Sequence, residues 1–377
     1  MDEIELTKTE RENAESKYEA VGNYLTDKMD CEFYPQGSFA THTIIRPLKT
    51  AKRKEYDLDA MVQFKYSKAS TAPKEIKKEL KQALLSSGVY RDKLHYEEWD
   101  KCWTLDFANV NDDTSFSMDL VPAVLEDELI RKITYTPYSD TLGSITNKNN
   151  SGEYFWVGNN SKGFANWFIN QGKNLDSRIV KNILYRASAD VSPLAGNEIN
   201  TSLSRVVKIL KRHRDIYYED HNINDYKPAS AIILASAGLL AERVQNASSE
   251  LDVLQKIVQN LMSFQGKSLF LNDELYLAEI PNGISGIISR NSGRWEMLNP
   301  TDSRDNLLDA WNGEEGAKIS RYFFEWVSSL SDLLPEFEDM REKTKERIFY
   351  ENFGIGQVQK SVPEVDVNNP LKPWRQS

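Results

Sequence analysis

From about residue 3 to residue 28 the chain carries Ala14, Tyr18, Val21 and Leu25 at three- and four-residue spacing, with no glycine or proline before Gly22. This pattern predicts a long opening helix. Cys31 to Tyr34 then reads as a short strand ending at Pro35-Gln36-Gly37-Ser38, where glycine lets backbone come close to a ligand. The run from Tyr56 to Phe64 alternates: Leu58, Ala60, Val62 and Phe64 can enter a core while Asp57 and Asp59 project together from the other face. Residues 72–87 repeat apolar positions at Ile76, Leu80 and Leu84, as an amphipathic helix does. Two further strands are predicted near 103–110 and 115–121, joined by the turn composition Asn111-Asp112-Asp113. In the second of them Phe116, Met118 and Leu120 share one face and Ser117, Asp119 and Val121 the other, so Asp119 can join Asp57 and Asp59 on a common sheet face.

The stretch 135–160 is rich in Thr, Ser, Asn and Gly and reads as a loop or linker. Helical patterns follow at about 161–171, 174–187, 200–218, 228–246 and 248–263, and again at 303–312, 315–333 and 335–347, with Gly- and Pro-rich connections near 281–293. A chain of 377 residues exceeds what one core usually supports and fits two lobes. The expected organisation is a mixed α/β core over 1–160 that includes the opening helix, a mostly helical lobe over 161–362, and a mobile polar tail over 363–377.

Hydrophobic content of 40% with 28% charged residues excludes wholesale disorder. No run approaches the roughly 18 apolar residues of a membrane span, and the first residues lack the order of a secretion signal, so a cytoplasmic protein with no membrane contact is expected. Cys31, Cys102 and the scattered His42, His95, His213 and His221 show no zinc-ligand spacing. A net charge of -10 argues against a protein that wraps nucleic acid. Positive charge is local, at Lys49, Lys52, Arg53 and Lys54 and at Arg205, Lys208, Lys211, Arg212 and Arg214, which suits gripping a triphosphate.

The chemistry concentrates in the order Gly37-Ser38, then Asp57 and Asp59, then Asp119. Three carboxylates on one face of adjacent strands repel one another unless a cation neutralises them. Two divalent ions roughly 3.5–4 Å apart, bridged by such carboxylates, stabilise the attacking and leaving oxygens of an in-line nucleotidyl displacement. Mg²⁺ is the expected ion, with Mn²⁺ as its substitute, and Asp57, Asp59 and Asp119 are the expected metal-binding and catalytic residues. Ser38 at its glycine turn can donate to phosphate oxygens, although a serine there also suits a helix cap.

On these residues the chain resembles the DNA polymerase β-like nucleotidyltransferase superfamily and, within it, the bacterial cGAS/DncV-like nucleotidyltransferases (CD-NTases). Gly37-Ser38-Phe39-Ala40-Thr41 with Ile44-Ile45-Arg46-Pro47-Leu48 is similar to the family's nucleotidyl-transfer turn and its extension. Asp57-Leu58-Asp59 and Met118-Asp119-Leu120-Val121-Pro122-Ala123 match its metal-binding strands. Val206 to Arg212 is similar to the helix whose lysine contacts the donor triphosphate, and Lys227-Pro228-Ala229-Ser230 to the following helix start, whose serine does the same. The resemblance therefore assigns nucleotide binding to Gly37, Ser38, Lys211 and Ser230, with Lys208 as the alternative lysine. Leu298-Asn299-Pro300-Thr301-Asp302 with Asn306 resembles a segment of oligoadenylate-synthetase-type C-terminal domains.

The resemblance implies a two-lobed α/β enzyme with its active site between a polymerase-β-like core and a helical lobe. It implies condensation of ribonucleoside triphosphates into a cyclic di- or trinucleotide for anti-phage defence, an effector protein that reads the product, and a protein regulator. The absence of zinc-thumb cysteines and of a broad basic surface speaks against activation by DNA. Alternatives are nucleotidyl transfer to tRNA, a protein or a small molecule, and a nucleotide-binding regulator without turnover. Phe164, Trp167, Phe168 and Tyr226 could stack on a base, but aromatic residues at helical spacing more often belong to a core.

Overall fold

The computed structural model describes residues 3–48, 55–111, 114–134, 136–187, 200–268, 287–334, 347 and 350–354. The basic cluster at 49–54, residues 281–286 of the 281–293 connection, nearly all of the 335–347 helical pattern and the tail over 363–377 lie outside the described residues.

Helix α1 (Lys8–Lys28) begins at Lys8, not near residue 3. Thr7 caps it: the Thr7 hydroxyl accepts from the Glu10 backbone N–H at 3.2 Å, and the Glu10 carboxylate accepts from the Thr7 N–H at 2.7 Å. Strand β1 (Cys31–Gln36) runs into the short helical turn α2 (Gly37–Ala40). Then come β2 (Glu55–Phe64), α3 (Pro73–Ser86), β3 (Trp103–Asn111), β4 (Thr114–Leu125), α4 (Glu128–Ile133), β5 (Gly143–Lys148) and β6 (Tyr154–Asn159). Six strands form one mixed sheet in the order β1-β2-β4-β5-β6, with β3 also on β4. β2 and β4 run parallel, and every other pairing in this sheet is antiparallel.

One face of the sheet, through Leu58, Ala60, Val62, Phe64, Phe116, Met118 and Leu120, packs on α1 and α3 through Ala14, Val21, Leu25, Ile76, Leu80 and Leu84. The alternation read from the sequence is thus the core face. The opposite face is apolar only at its far end, where Met61, Val121, Ala123 and Ile145 form a small cluster with Cys102. The near end of that face carries the carboxylates.

The stretch 135–160 is not a linker: β5 and β6 complete the sheet there. Its Ser and Thr content misleads because Ser144 and Thr146 are buried strand residues, and Ser144 donates to the buried Glu126 carboxylate at 2.7 Å.

The helical lobe opens with α5 (Ser161–Ala187), a single helix where the sequence suggested two. Gly172, the apparent break, lies against the Thr201 side chain, where a Cβ would collide. Helices α6 (Ser202–Asp220), α7 (Ser230–Ala241) and α8 (Glu250–Ser268) follow, then β7 (Ser289–Asn291), β8 (Arg294–Glu296), β9 (Leu298–Asn299), β10 (Asp302–Asn306) and α9 (Gly316–Leu333). The segment 303–312 is therefore strand and a short 3-10 turn, not an α-helix. α7 is apolar nearly all round and sits in the centre of the lobe, as such a helix must.

Polar contacts join the lobes. Arg304 Nη1 donates to Glu126 Oε2 at 2.5 Å, Asn160 Nδ2 donates to the Thr301 carbonyl at 2.8 Å, and Lys208 pairs with Glu5 at 2.7 Å. The Asn-Pro segment around Asn299 thereby belongs to the seam between sheet and helices. Among the described residues no helix is long and apolar enough to cross a membrane.

Candidate active site

The sheet register brings the carboxylates together. In the parallel pair β2/β4, Asp57 lies opposite Ser117 and Asp59 opposite Asp119. In the antiparallel pair β1/β2, Gln36 lies opposite Asp59, so the next residue, Gly37, turns directly over that carboxylate. Gly37 has φ +60, and a Cβ there would run into Asp59 Oδ2. Only glycine lets the turn approach the aspartate this closely. The first turn of α2 also leaves backbone N–H groups without partners inside the helix.

Gly37, Ser38, Asp57 and Asp59 form one wall of an open cleft of about 840 Å³. The strap Ile44-Ile45-Arg46-Pro47-Leu48 forms another. Across the cleft stand Lys211, Arg214 and Asp215 of α6, Lys227, and Ser230 at the start of α7. All four carried-over nucleotide-binding residues therefore line the same space as Asp57 and Asp59, while Asp119 is tied to it by the sheet. Lys208, the alternative lysine, does not: it is buried in a pair with Glu5 and Asn200.

The electrostatics are strained. Burial, reinforced by Asp119 and Asp57, pushes the Asp59 carboxyl up to about 7, with only Lys211 opposing. Burial also raises Asp119, and Asp57 adds to it, while the Thr104 hydroxyl and the Cys102 thiol pull it back. Lys211 is pulled down to about 7 by burial and by Arg214, against Asp215 and Asp59. Its ammonium donates to the Thr43 carbonyl at 2.9 Å. Arg214 donates to the Pro228 carbonyl at 3.0 Å and to Ser230 Oγ at 3.1 Å, and its other edge grips Asp215 Oδ1.

A site with two raised carboxyl groups on neighbouring strands fits a divalent cation, because the charge that perturbs them is what such an ion would neutralise. Among the described residues, however, no three acidic, His or Cys side chains are gathered closely enough to hold one ion as they stand. Asp57 Oδ1 accepts from Ser117 Oγ at 2.6 Å, and Asp119 Oδ1 accepts from Thr104 Oγ1. The backbone places the three aspartates, and two of the side chains are engaged by neighbouring hydroxyls.

Residues 1–169 match the family described as the Second Messenger Oligonucleotide or Dinucleotide Synthetase (SMODS) domain. The chain carries a SMODS domain over these residues and has the CD-NTase fold. It is 23% identical over 344 residues to the c-di-GMP synthase of Roseivirga ehrenbergii, a match spanning 90% of this chain and 77% of that protein. The fold is that of the CD-NTase CdnG of Bradyrhizobium diazoefficiens, solved in complex with GTP, at a TM-score of 0.60 and 18% identity over 93% of this chain and 92% of that one. CdnC of E. coli MS115-1, solved in a complex with HORMA-deltaN, matches at a TM-score of 0.57 and 14% identity over 94% of each chain. The resemblance to the CD-NTases is borne out, as is the mixed α/β fold with its helical part.

In this SMODS-domain protein the aromatic residues proposed for base stacking stand elsewhere. Trp167 and Phe168 are core residues of the helical lobe with Phe164 packed against them, and Tyr226 leans on Tyr322. The sequence reading named Arg214 within a basic cluster suited to a triphosphate and Lys227 within the motif that ends at Ser230, but it did not name Asp215. Helical spacing could have found it, since Asp215 follows Lys211 by four positions on α6.

Proposed function

We propose that the protein is a Mg²⁺-dependent synthase that condenses ribonucleoside triphosphates into a cyclic di- or trinucleotide, with Asp57, Asp59 and Asp119 as metal-binding catalytic residues. The observation that carries this reading is the cleft itself. Paired carboxylates and a Gly-Ser turn occupy one wall, and Lys211, Arg214, Lys227 and Ser230 occupy the other, about as a triphosphate requires. Mg²⁺ or Mn²⁺ held there would screen the phosphate charge and make the attacking ribose hydroxyl more acidic.

The chain's own groups set the geometry. The backbone of Gly37 and the hydroxyl of Ser38 receive phosphate oxygens. Lys211 offers its ammonium to the phosphate tail, with the Ser230 hydroxyl beside it. Asp59, buried beneath the Gly37 turn, would share the cation with Asp57 and Asp119. The strap over Thr43–Leu48 excludes water from one side of the cleft. Similarity to the c-di-GMP synthase of Roseivirga ehrenbergii, and to CdnG with GTP, supports guanine among the bases used.

The family context supports a role in anti-phage defence, in the cytoplasm, with a product-sensing effector protein. The complex of CdnC with HORMA-deltaN supports a protein regulator, and activation by DNA is not expected. Incubation with each labelled NTP, alone and in pairs, with Mg²⁺ or Mn²⁺, followed by phosphatase and mass spectrometry, tests the reading. A phosphatase-resistant product that is absent with Asp57→Asn supports a cyclic-oligonucleotide synthase. Metal-dependent pyrophosphate release only when tRNA, protein or a small acceptor is added would favour transfer to that acceptor, and no turnover with any acceptor would favour a regulator.

A further inference from the structure

The hydroxyls of Thr104 and Ser117 stand where the sheet register puts them directly beside the metal-site aspartates. Thr104 of β3 lies opposite Asp119 in the antiparallel pair, and Ser117 of β4 lies opposite Asp57 in the parallel pair. Each donates to one oxygen, Oδ1, of its aspartate, at 2.6 Å for Ser117. Both residues are buried, at 7% and 6% exposure, while their strand neighbours Trp103, Leu105, Phe116 and Met118 enter the core on the other face of the sheet.

We propose that Thr104 and Ser117 are positioning residues that hold Asp119 and Asp57 in a fixed orientation for the cation. A buried hydroxyl in an apolar strand is destabilising unless it is hydrogen-bonded, and valine or alanine would fill these positions at no such cost. The two hydroxyls occur instead at strand positions that face a carboxylate. By binding one oxygen of each carboxylate they fix its rotamer and leave lone pairs for a cation. Groups that orient metal ligands in this way typically change metal affinity about 10- to 100-fold when removed. The inference rests on the metal-site reading above and goes beyond it by naming which neighbours make three repelling carboxylates usable.

The test is Mn²⁺ binding to the full chain without nucleotide, followed by the free-ion electron paramagnetic resonance signal, for the wild type, Asp57→Asn, Thr104→Val, Thr104→Ser and Ser117→Ala. Thermal melting of each protein without metal reports the fold. The expected result is a Kd for Mn²⁺ raised about tenfold or more in Thr104→Val and Ser117→Ala, at near-wild-type melting temperature, with Thr104→Ser within about threefold of wild type. With NTP, kcat should fall in the two hydroxyl-less variants while KM changes little. Wild-type Mn²⁺ affinity in both variants would overturn the inference while leaving the metal site standing. A wild type that binds Mn²⁺ no better than Asp57→Asn would overturn the metal site and the inference with it. If Thr104→Val and Thr104→Ser weaken Mn²⁺ equally, the shape of the side chain and not its hydroxyl is responsible, and the inference fails.

Discussion

The ammonium of Lys211, on α6 of the helical lobe, donates at 2.9 Å to the carbonyl of Thr43, at the start of the strap that follows the glycine turn. One position along the helix, Arg212 Nη2 donates to the Arg46 carbonyl at 2.7 Å on the same strap. The helical lobe thus holds the strap, and the strap lines the cleft. Lys211 is the residue of the two that also faces the cleft, so it links lobe docking to the phosphate site.

Replacing Lys211 by Met keeps the length and apolar stem that pack in this joint but removes the charge. A hydrogen bond to a charged group contributes about 1.5–3 kcal/mol, so NTP KM should rise roughly 10- to 100-fold. Lys208→Met, by contrast, should leave NTP KM within about threefold while lowering stability, because Lys208 serves Glu5 and Asn200. Steady-state kinetics on both variants decide the matter; equal KM effects would remove Lys211 from its assigned role.

Gly37 gives a sharper expectation. Its φ of +60 is strained for any L side chain, and a Cβ would press on Asp59 Oδ2. Gly37→Ala should therefore cost about 1–3 kcal/mol of stability and reduce turnover by more than about 100-fold, because either the turn or the aspartate must move. Ser38→Ala keeps the turn and should lower turnover far less. A Gly37→Ala enzyme with wild-type kcat would show that the close approach of turn and carboxylate is unimportant.

These residues also show what could be read from the chain alone. Asp57, Asp59 and Asp119 were legible because strand periodicity puts each on the face opposite Leu58, Ala60, Met118 and Leu120, and the core face is as expected. The glycine turn was legible because Gly37-Ser38 precedes the acidic pair at a strand end. Thr104 was not, because it meets Asp119 only through the β3/β4 register, which no local pattern specifies. Strands β5 and β6 were missed since Ser144 and Thr146 are buried polar residues, and a hydropathy reading takes polar residues as exposed. The start of α1 moved because the Thr7–Glu10 capping box fixes it, whereas the absence of glycine and proline back to residue 3 does not.

Asp59 predicts an unusual pH dependence. Its carboxyl is held up to about 7 from 3.8, so between those values the folded chain keeps a proton that the unfolded chain has released. Stability without metal should therefore fall as pH rises through this window, with the whole cost present above about 7. At about 1.4 kcal/mol per pKa unit, that cost is of the order of a few kcal/mol. Asp59→Asn should melt at a higher temperature than the metal-free wild type at about pH 8, and the gap should close near pH 4–5. Adding Mg²⁺ should raise the wild type and leave the variant unchanged. Differential scanning calorimetry across pH would settle it, and a variant less stable than wild type at every pH would mean that Asp59 is well compensated in the absence of metal.

Glu126, at the far end of β4, shows the opposite sign. Burial alone would raise its carboxyl, but Lys68 at 2.8 Å, Ser144 at 2.7 Å, Arg304 at 2.5 Å and the Asp127 N–H at 3.1 Å outweigh burial and hold it near 2. Its side chain is fully buried, and Arg304 comes from β10, so this cluster fastens the helical lobe to the sheet. The stability it provides is complete above about pH 4.5 and is lost as pH falls toward 2. Glu126→Gln leaves Lys68 and Arg304 facing a neutral group, and removing one partner of a buried ion pair costs about 3–5 kcal/mol. Arg304→Met should cost less, since Lys68 still balances the carboxylate. Urea unfolding at neutral pH and at about pH 3 separates the two effects: the Glu126→Gln deficit should shrink at the acid end, whereas a deficit unchanged with pH would assign the cost to packing and not to charge.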